Sequence, residues 1–217
     1  MLLNYNPPTD PYLEILYQDE HMLVINKPSG LLTVPGKDPK HADSVINRVN
    51  RVFPNAKIVH RLDMATSGVL CLAMHKEAHR FLSIQFQDRL TKKRYVARVF
   101  GKLESKHGSV DLPLTCDWPN RPKQMVCHES GKPSLTHFEV LEYEPLATRV
   151  SLTPITGRSH QLRVHMQSLG HVILGDRLYA QGDALKAANR LQLHAQMLEI
   201  CHPVSGEMMQ FNAPDPF

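Results

Sequence analysis

At 217 residues, with 42% hydrophobic and 21% charged side chains, the chain can build a substantial core and is too apolar to be disordered. No apolar run approaches the roughly 18 residues of a membrane span, and the N-terminus Met1-Leu2-Leu3-Asn4-Tyr5-Asn6-Pro7-Pro8 has no basic region ahead of an apolar core, which excludes a signal peptide. A formal net charge of +4 is compatible with an anionic partner without requiring one.

Residues 1–12, rich in Pro and Asn, read as an extended arm. Glu14–Tyr17 and Met22–Ile25 then form a hairpin around Gln18–His21, which ends at Asn26-Lys27-Pro28-Ser29-Gly30 because Pro and Gly stop a strand. Ser44 caps a short helix carrying Val45, Val49 and Val52 at helical spacing, and Pro54 ends it. Lys57–Val59 closes one strand and Val69–Met74 is the next. Lys76–Leu90 is a longer helix that puts Ala78, Phe81, Leu82 and Phe86 on one face. A strand follows over Lys92–Phe100, then a loop-rich stretch from Gly101 to Pro133. Thr136–Tyr143 and Arg149–Leu152 read as paired strands, and Ser159–Leu169 as a helix stopped by Gly170. Asp183–Arg190 is a short helix, and Leu191–Cys201 pairs with Glu207–Phe211 across Pro203–Gly206. Neighbouring strand pairs with scattered helices predict an α+β fold with a mixed, mainly antiparallel sheet flanked by helices and loops. The four cysteines, Cys71, Cys116, Cys127 and Cys201, are far apart and form no CxxC pair, so the chain reads as cytoplasmic with reduced thiols.

The most informative stretch is His60-Arg61-Leu62-Asp63-Met64-Ala65-Thr66-Ser67-Gly68, which sets one carboxylate in a turn between two apolar strands. A carboxylate there can face a cleft from a rigid base, although an isolated Asp beside Ser and Gly is more often a turn cap. The string resembles the HRLD signature of the RluA family of pseudouridine synthases, in which the Asp is the catalytic nucleophile. Thr156-Gly157-Arg158-Ser159-His160-Gln161-Leu162-Arg163 resembles the family's GRxHQLR motif, whose final Arg pairs with that Asp. Lys93-Arg94-Tyr95-Val96-Ala97-Arg98-Val99 resembles its KxYxAxV strand, whose Tyr packs on the target base, and Lys27-Pro28-Ser29-Gly30 its structural NKPxG element.

The resemblance implies a catalytic fold with a central RNA-binding cleft and assigns Asp63, Tyr95 and Arg163 to catalysis. It places Arg61 in the gap left by a flipped-out uridine, a role suited to a planar guanidinium. His60, Leu162, Arg158 and His160 are expected near the substrate. Arg121 and Lys123, in the basic loop holding the chain's one Trp, are expected to contact the RNA stem. The reaction breaks the N1–C1′ bond of uridine, turns the base and rejoins it through C5, so its atoms balance without cofactor, metal or water. Asp63 acts at C1′ either as nucleophile or by assisting elimination to a glycal. Similarity is greatest to dual-specificity members that act on 23S ribosomal RNA and on anticodon stem-loops of tRNA. Several relatives carry an S4-like RNA-binding domain, but NKPSG begins at Asn26, so residues 13–217 are expected to form a single catalytic domain without one, working as a monomer with no obligate protein partner.

Two rivals remain. Thirteen histidines raise a zinc hydrolase, but no HExxH motif or Cys/His pair has zinc spacing, leaving only convergence of His60, His165 and His194 in space. A non-catalytic RNA-binding module competes more seriously, although 6% aromatic content offers no stacking platform of the RNP type.

Overall fold

The computed structural model describes residues 5–217; the first four residues of the expected N-terminal arm lie outside the described residues. The chain runs through β1 (Glu14–Gln18), β2 (Met22–Lys27), α1 (Val45–Asn50), β3 (Lys57–Ile58), β4 (Ser67–Ala73), α2 (Lys76–Gln87) and β5 (Lys92–Phe100). It continues through β6 (His107–Asp111), β7 (Leu114–Cys116), β8 (Gln124–Val126), β9 (Leu135–Tyr143) and β10 (Ala147–Pro154). The last elements are α3 (Gln161–Ser168), α4 (Gly182–Lys186), β11 (Leu193–Cys201) and β12 (Met208–Asn212). The fold is α+β, as the strand pairs in the sequence predict. Two compact units share the chain: one comprises the described residues to Lys93 with Ala195–Pro216, the other Arg94–His194 with Phe217.

In the first unit β4 is central and buried along its whole length, which is why it reads as an unbroken apolar run. β2 pairs antiparallel with it from Met22↔Ala73 to Lys27↔Gly68, β1 pairs with β2, and β12 pairs with β11. Met22, Val24, Val69, Cys71, Leu82, Leu198 and Ile200 form the core. On α2 the buried positions are Ala78, Leu82 and Gln85, while Phe81, expected on that face, is 39% exposed. At about 100° per residue the buried stripe is centred close to Ala78, with Leu82 on one side and Gln85 on the other, and Phe81 falls outside it beyond Gln85. The Gln85 amide pairs with Cys201 like a strand, its Nε2 donating to the carbonyl at 2.9 Å and its Oε1 accepting from the N–H at 2.8 Å. A polar residue thus does the docking that the apolar pattern assigned to Phe81.

In the second unit β5 pairs antiparallel with β10, β10 with β9, and β9 with β6. The stretch Gly101–Pro133, expected to be loops, contains β6 and the hairpin of β7 and β8. These strands are too short and polar for an alternating pattern to show; β6 forms against the nine-residue β9, while the three-residue β7 and β8 pair only with each other. Gly108 in β6 has no room for a side chain: a Cβ there would lie 2.7 Å from the Phe138 ring. α3 starts at Gln161, two residues later than expected, because His160 takes a left-handed conformation with φ of 53°.

Candidate functional site

Asp63 lies in the turn between β3 and β4, partly exposed on a backbone that is tied down from beneath. Lys27, at the end of β2 and 0% exposed, donates through its ammonium to the carbonyls of Pro28 (2.8 Å), Leu31 (2.7 Å) and Met64 (3.1 Å). Gly30 N–H donates to the same Met64 carbonyl at 2.8 Å, and the Ser29 hydroxyl to that of Ala65 at 2.7 Å. On the other side Thr33 Oγ1 donates to the Leu62 carbonyl at 2.7 Å and accepts from Leu62 N–H at 3.3 Å. The residues before and after Asp63 are therefore held by hydrogen bonds from the Lys27–Thr33 segment. Gly68 ends the motif with φ of 114°, and a Cβ there would meet the Ala195 carbonyl oxygen at 2.2 Å, so only glycine admits β11 at this point.

His60 stacks on Phe86 with ring centroids 4.2 Å apart, and its Nε2 accepts from Cys71 N–H at 3.0 Å. Burial, with a smaller contribution from the Lys93 charge, pushes its pKa down to about 3, so the ring stays neutral and serves as a fixed acceptor. Expected near the substrate, His60 has one ring nitrogen committed to the backbone of β4. Arg61 is exposed beside it. In the basic run from Arg89 to Arg94, Lys92 pairs with Glu199 at 2.7 Å, and burial followed by the Arg89 charge lowers the pKa of Lys93.

In the second unit α3 is fastened at its first residue. Gln161 Oε1 accepts from Thr156 Oγ1 (2.7 Å) and Arg158 N–H (3.0 Å), while Nε2 donates to the Leu135 carbonyl and Thr136 Oγ1, both at 3.0 Å. Leu162 is buried. Arg163, 4% exposed, grips Asp176 in a two-pronged ion pair with Nε–Oδ2 and Nη2–Oδ1 distances of 2.7 Å, and Asp176 itself is 0% exposed. Asp176 Oδ1 also accepts from the N–H groups of Leu178 (2.9 Å) and Tyr179 (3.3 Å). Tyr95 is partly buried on β5, opposite Leu152 of β10.

The loop between β7 and β8 carries Trp118, 68% exposed, with the Arg121 guanidinium 4.7 Å from its ring centroid. Lys123 lies 6.0 Å from the Tyr179 ring centroid. Arg158 is partly buried, its Nε donating to the Pro133 carbonyl at 3.3 Å, and His160 Nδ1 lies 2.7 Å from the Tyr179 hydroxyl.

Residues 21–168 match the family model described as RNA pseudouridylate synthase. The chain is 60% identical to the dual-specificity RNA pseudouridine synthase RluA of Escherichia coli (strain K12) over 215 residues, covering 99% of this chain and 98% of that protein. The chain belongs to the RNA pseudouridylate synthase family. The RluA protein of Vibrio vulnificus (strain CMCP6) is 53% identical over 221 residues, spanning 100% of this chain and 88% of that one. Among solved structures, human RNA Pseudouridylate Synthase Domain Containing 1 superposes with a TM-score of 0.81 at 30% identity, covering 98% of this chain and 87% of that one. The protein is an RNA pseudouridine synthase, an isomerase acting on uridine in RNA.

Several features of this synthase escape sequence reasoning. Asp176 and Tyr179 sit in Gly175-Asp176-Arg177-Leu178-Tyr179, a string whose only signal is a carboxylate and a ring after an apolar run. Lys27 opens a Pro/Gly turn in the sequence, and nothing in that string says its ammonium is buried. Of the histidines considered for zinc, His165 is buried between Thr136 Oγ1 (2.9 Å) and the Leu112 carbonyl (3.1 Å), and desolvation lowers its pKa. Among the described residues no group of three or more His, Cys, Asp or Glu side chains is arranged to hold a metal ion.

Proposed function

We propose that this synthase acts on uridines in stem-loops of two RNA classes, 23S ribosomal RNA and the tRNA anticodon arm, with Asp63 as its nucleophile. The observation that carries the assignment of Asp63 is its seat: a partly exposed carboxylate on a turn whose neighbouring carbonyls are pinned by a buried ammonium and two hydroxyls. A group that must reach the sugar of a flipped nucleotide needs that rigidity, since small misplacements of a reacting atom cost orders of magnitude in rate. Arg163 supplies the cation that the family resemblance pairs with the catalytic carboxylate. Tyr95 supplies the aromatic face for the uracil while it turns, and Arg61 occupies the space the uridine leaves.

Dual specificity rests on the name of the relatives that are 60% identical along nearly their whole length. Arg121 and Lys123 grip the RNA stem, with Arg158, His160 and Leu162 along the same substrate path. His60 serves this site from beneath. The enzyme works as a cytoplasmic monomer without cofactor; four cysteines that are all free thiols suit a reducing compartment.

The test is tritium release from ribosomal and transfer RNA labelled at uridine C5, because the new C1′–C5 bond expels the C5 hydrogen. Release by the native enzyme from both RNAs, abolished in Asp63→Asn, is the expected result. Release from one RNA alone overturns dual specificity. Undiminished release by the variant overturns the role of Asp63.

A further inference from the structure

The hairpin of β7 and β8 and the helix α3 meet at one side chain, Tyr179. Its hydroxyl accepts from Gln124 N–H at 2.8 Å, at the foot of the Trp118–Lys123 loop, and contacts His160 Nδ1 at 2.7 Å, at the start of α3. Its ring packs with Leu114 of β7 and Val164 of α3, and the guanidinium of Arg163 lies 5.1 Å from the ring centroid. The turn that presents this ring begins at Asp176, whose carboxylate takes the Tyr179 N–H on one oxygen while holding Arg163 with both. One short segment thus fixes the foot of an exposed basic loop through a hydroxyl and the guanidinium of Arg163 through a carboxylate.

The loop is otherwise lightly attached. Its exposed tip rests on local contacts: Asn120 Nδ2 on Asp117 at 3.0 Å, the Asp117 N–H on the Lys123 carbonyl at 3.0 Å, and Arg121 over Trp118. Force on Arg121 or Lys123 therefore reaches the body of the unit through the β7–β8 ladder and through Tyr179. His160, in contact with the hydroxyl, is in the left-handed conformation one residue before α3, a backbone state that costs a non-glycine residue about 1 kcal/mol and persists where surrounding contacts hold it.

We propose that Tyr179 is a positioning residue that couples the grip of the Trp118–Lys123 loop on RNA to the placement of α3 and Arg163. This rests on the reading above, in which Arg121 and Lys123 contact RNA. The hydroxyl is the coupling atom, and the ring is packing. Tyr179→Phe removes the first and keeps the second.

The experiment measures KM and kcat by tritium release on a stem-loop transcript the native enzyme modifies. It compares the full-length native protein, Tyr179→Phe, the Arg121→Ala/Lys123→Ala double variant and the triple variant, each checked by thermal melting. Loss of the hydroxyl, with its contacts to Gln124 and His160, raises KM about tenfold in Tyr179→Phe. Because it acts through the loop, the triple variant has the KM of the double variant to within twofold, whereas independent effects would multiply. A purely structural hydroxyl would lower the melting temperature and act equally in both backgrounds. Multiplying effects, or an unchanged KM in Tyr179→Phe beside a raised KM in the double variant, overturn the coupling alone. An unchanged KM in the double variant overturns the RNA-grip reading and the coupling with it.

Discussion

Replacing Lys27 by Met tests whether the buried ammonium holds the Asp63 turn. The variant keeps the apolar stem and roughly the volume but removes the donor to the carbonyls of Pro28, Leu31 and Met64. A hydrogen bond to a charged group contributes about 1.5–3 kcal/mol, so three at the low end amount to about 4–5 kcal/mol. Relief of the cost of burying an ammonium offsets part of this, leaving a net loss of about 3 kcal/mol. For a chain of this length each kcal/mol moves the melting midpoint by about 2–4 °C, which gives a drop of about 6–12 °C. Turnover, measured well below the new midpoint, falls by at least about tenfold, because the Met64 carbonyl beside Asp63 loses the ammonium and keeps the Gly30 N–H. Calorimetry and tritium release on the same preparation report both quantities. A midpoint within 2 °C of the native protein, with turnover intact, would show that the carbonyls find other donors and that Lys27 does not brace the turn.

Gly68→Ala should abolish soluble folding or lower the midpoint by more than 10 °C, since its Cβ would sit 2.2 Å from the Ala195 oxygen, whereas Gly170→Ala, with φ of 82° and nothing within 4 Å, should cost only about 1 kcal/mol. Equal losses in the two variants would remove the close approach of β11 as the cause. His60 is neutral in the folded protein down to about pH 3, while the unfolded chain takes up a proton below its ordinary value of 6.5. Its contribution to stability is therefore complete above pH 6.5 and shrinks by up to about 1.4 kcal/mol per pH unit on acidification toward 3. His60→Gln keeps an acceptor for Cys71 N–H and should flatten the fall of the melting midpoint between pH 7.5 and 5; parallel pH profiles would refute this. Asp176→Asn leaves the Arg163 cation buried against a neutral amide, so a loss of about 3–5 kcal/mol and at least tenfold slower turnover are expected. An unchanged melting curve would mean that the pair is not a determinant of stability.

Much of the architecture was legible because burial leaves a pattern in sequence. β4 reads as an unbroken apolar run, Ser44 and Gly170 mark helix ends where they fall, and the hairpin of β1 and β2 follows from two short apolar runs on either side of Gln18–His21. Motif spacing also carried the family, since His60–Gly68, Lys93–Val99 and Thr156–Arg163 are each contiguous strings whose chemistry is local.

Polar residues that act at a distance were not legible. Lys27 and Met64 are 37 positions apart, Gln85 and Cys201 are 116 apart, and Arg163 meets Asp176 across a helix end and a turn. A lysine, a glutamine or an aspartate has the same letter whether it is solvated or buried against a carbonyl, and only the fold supplies the partner that decides which. The sequence alone determined the class of fold, the family and the strings that bear the chemistry, because periodicity and short motifs are properties of neighbouring residues. The tertiary structure decided which polar groups brace those strings, because desolvation and pairing depend on what the chain brings together from far apart.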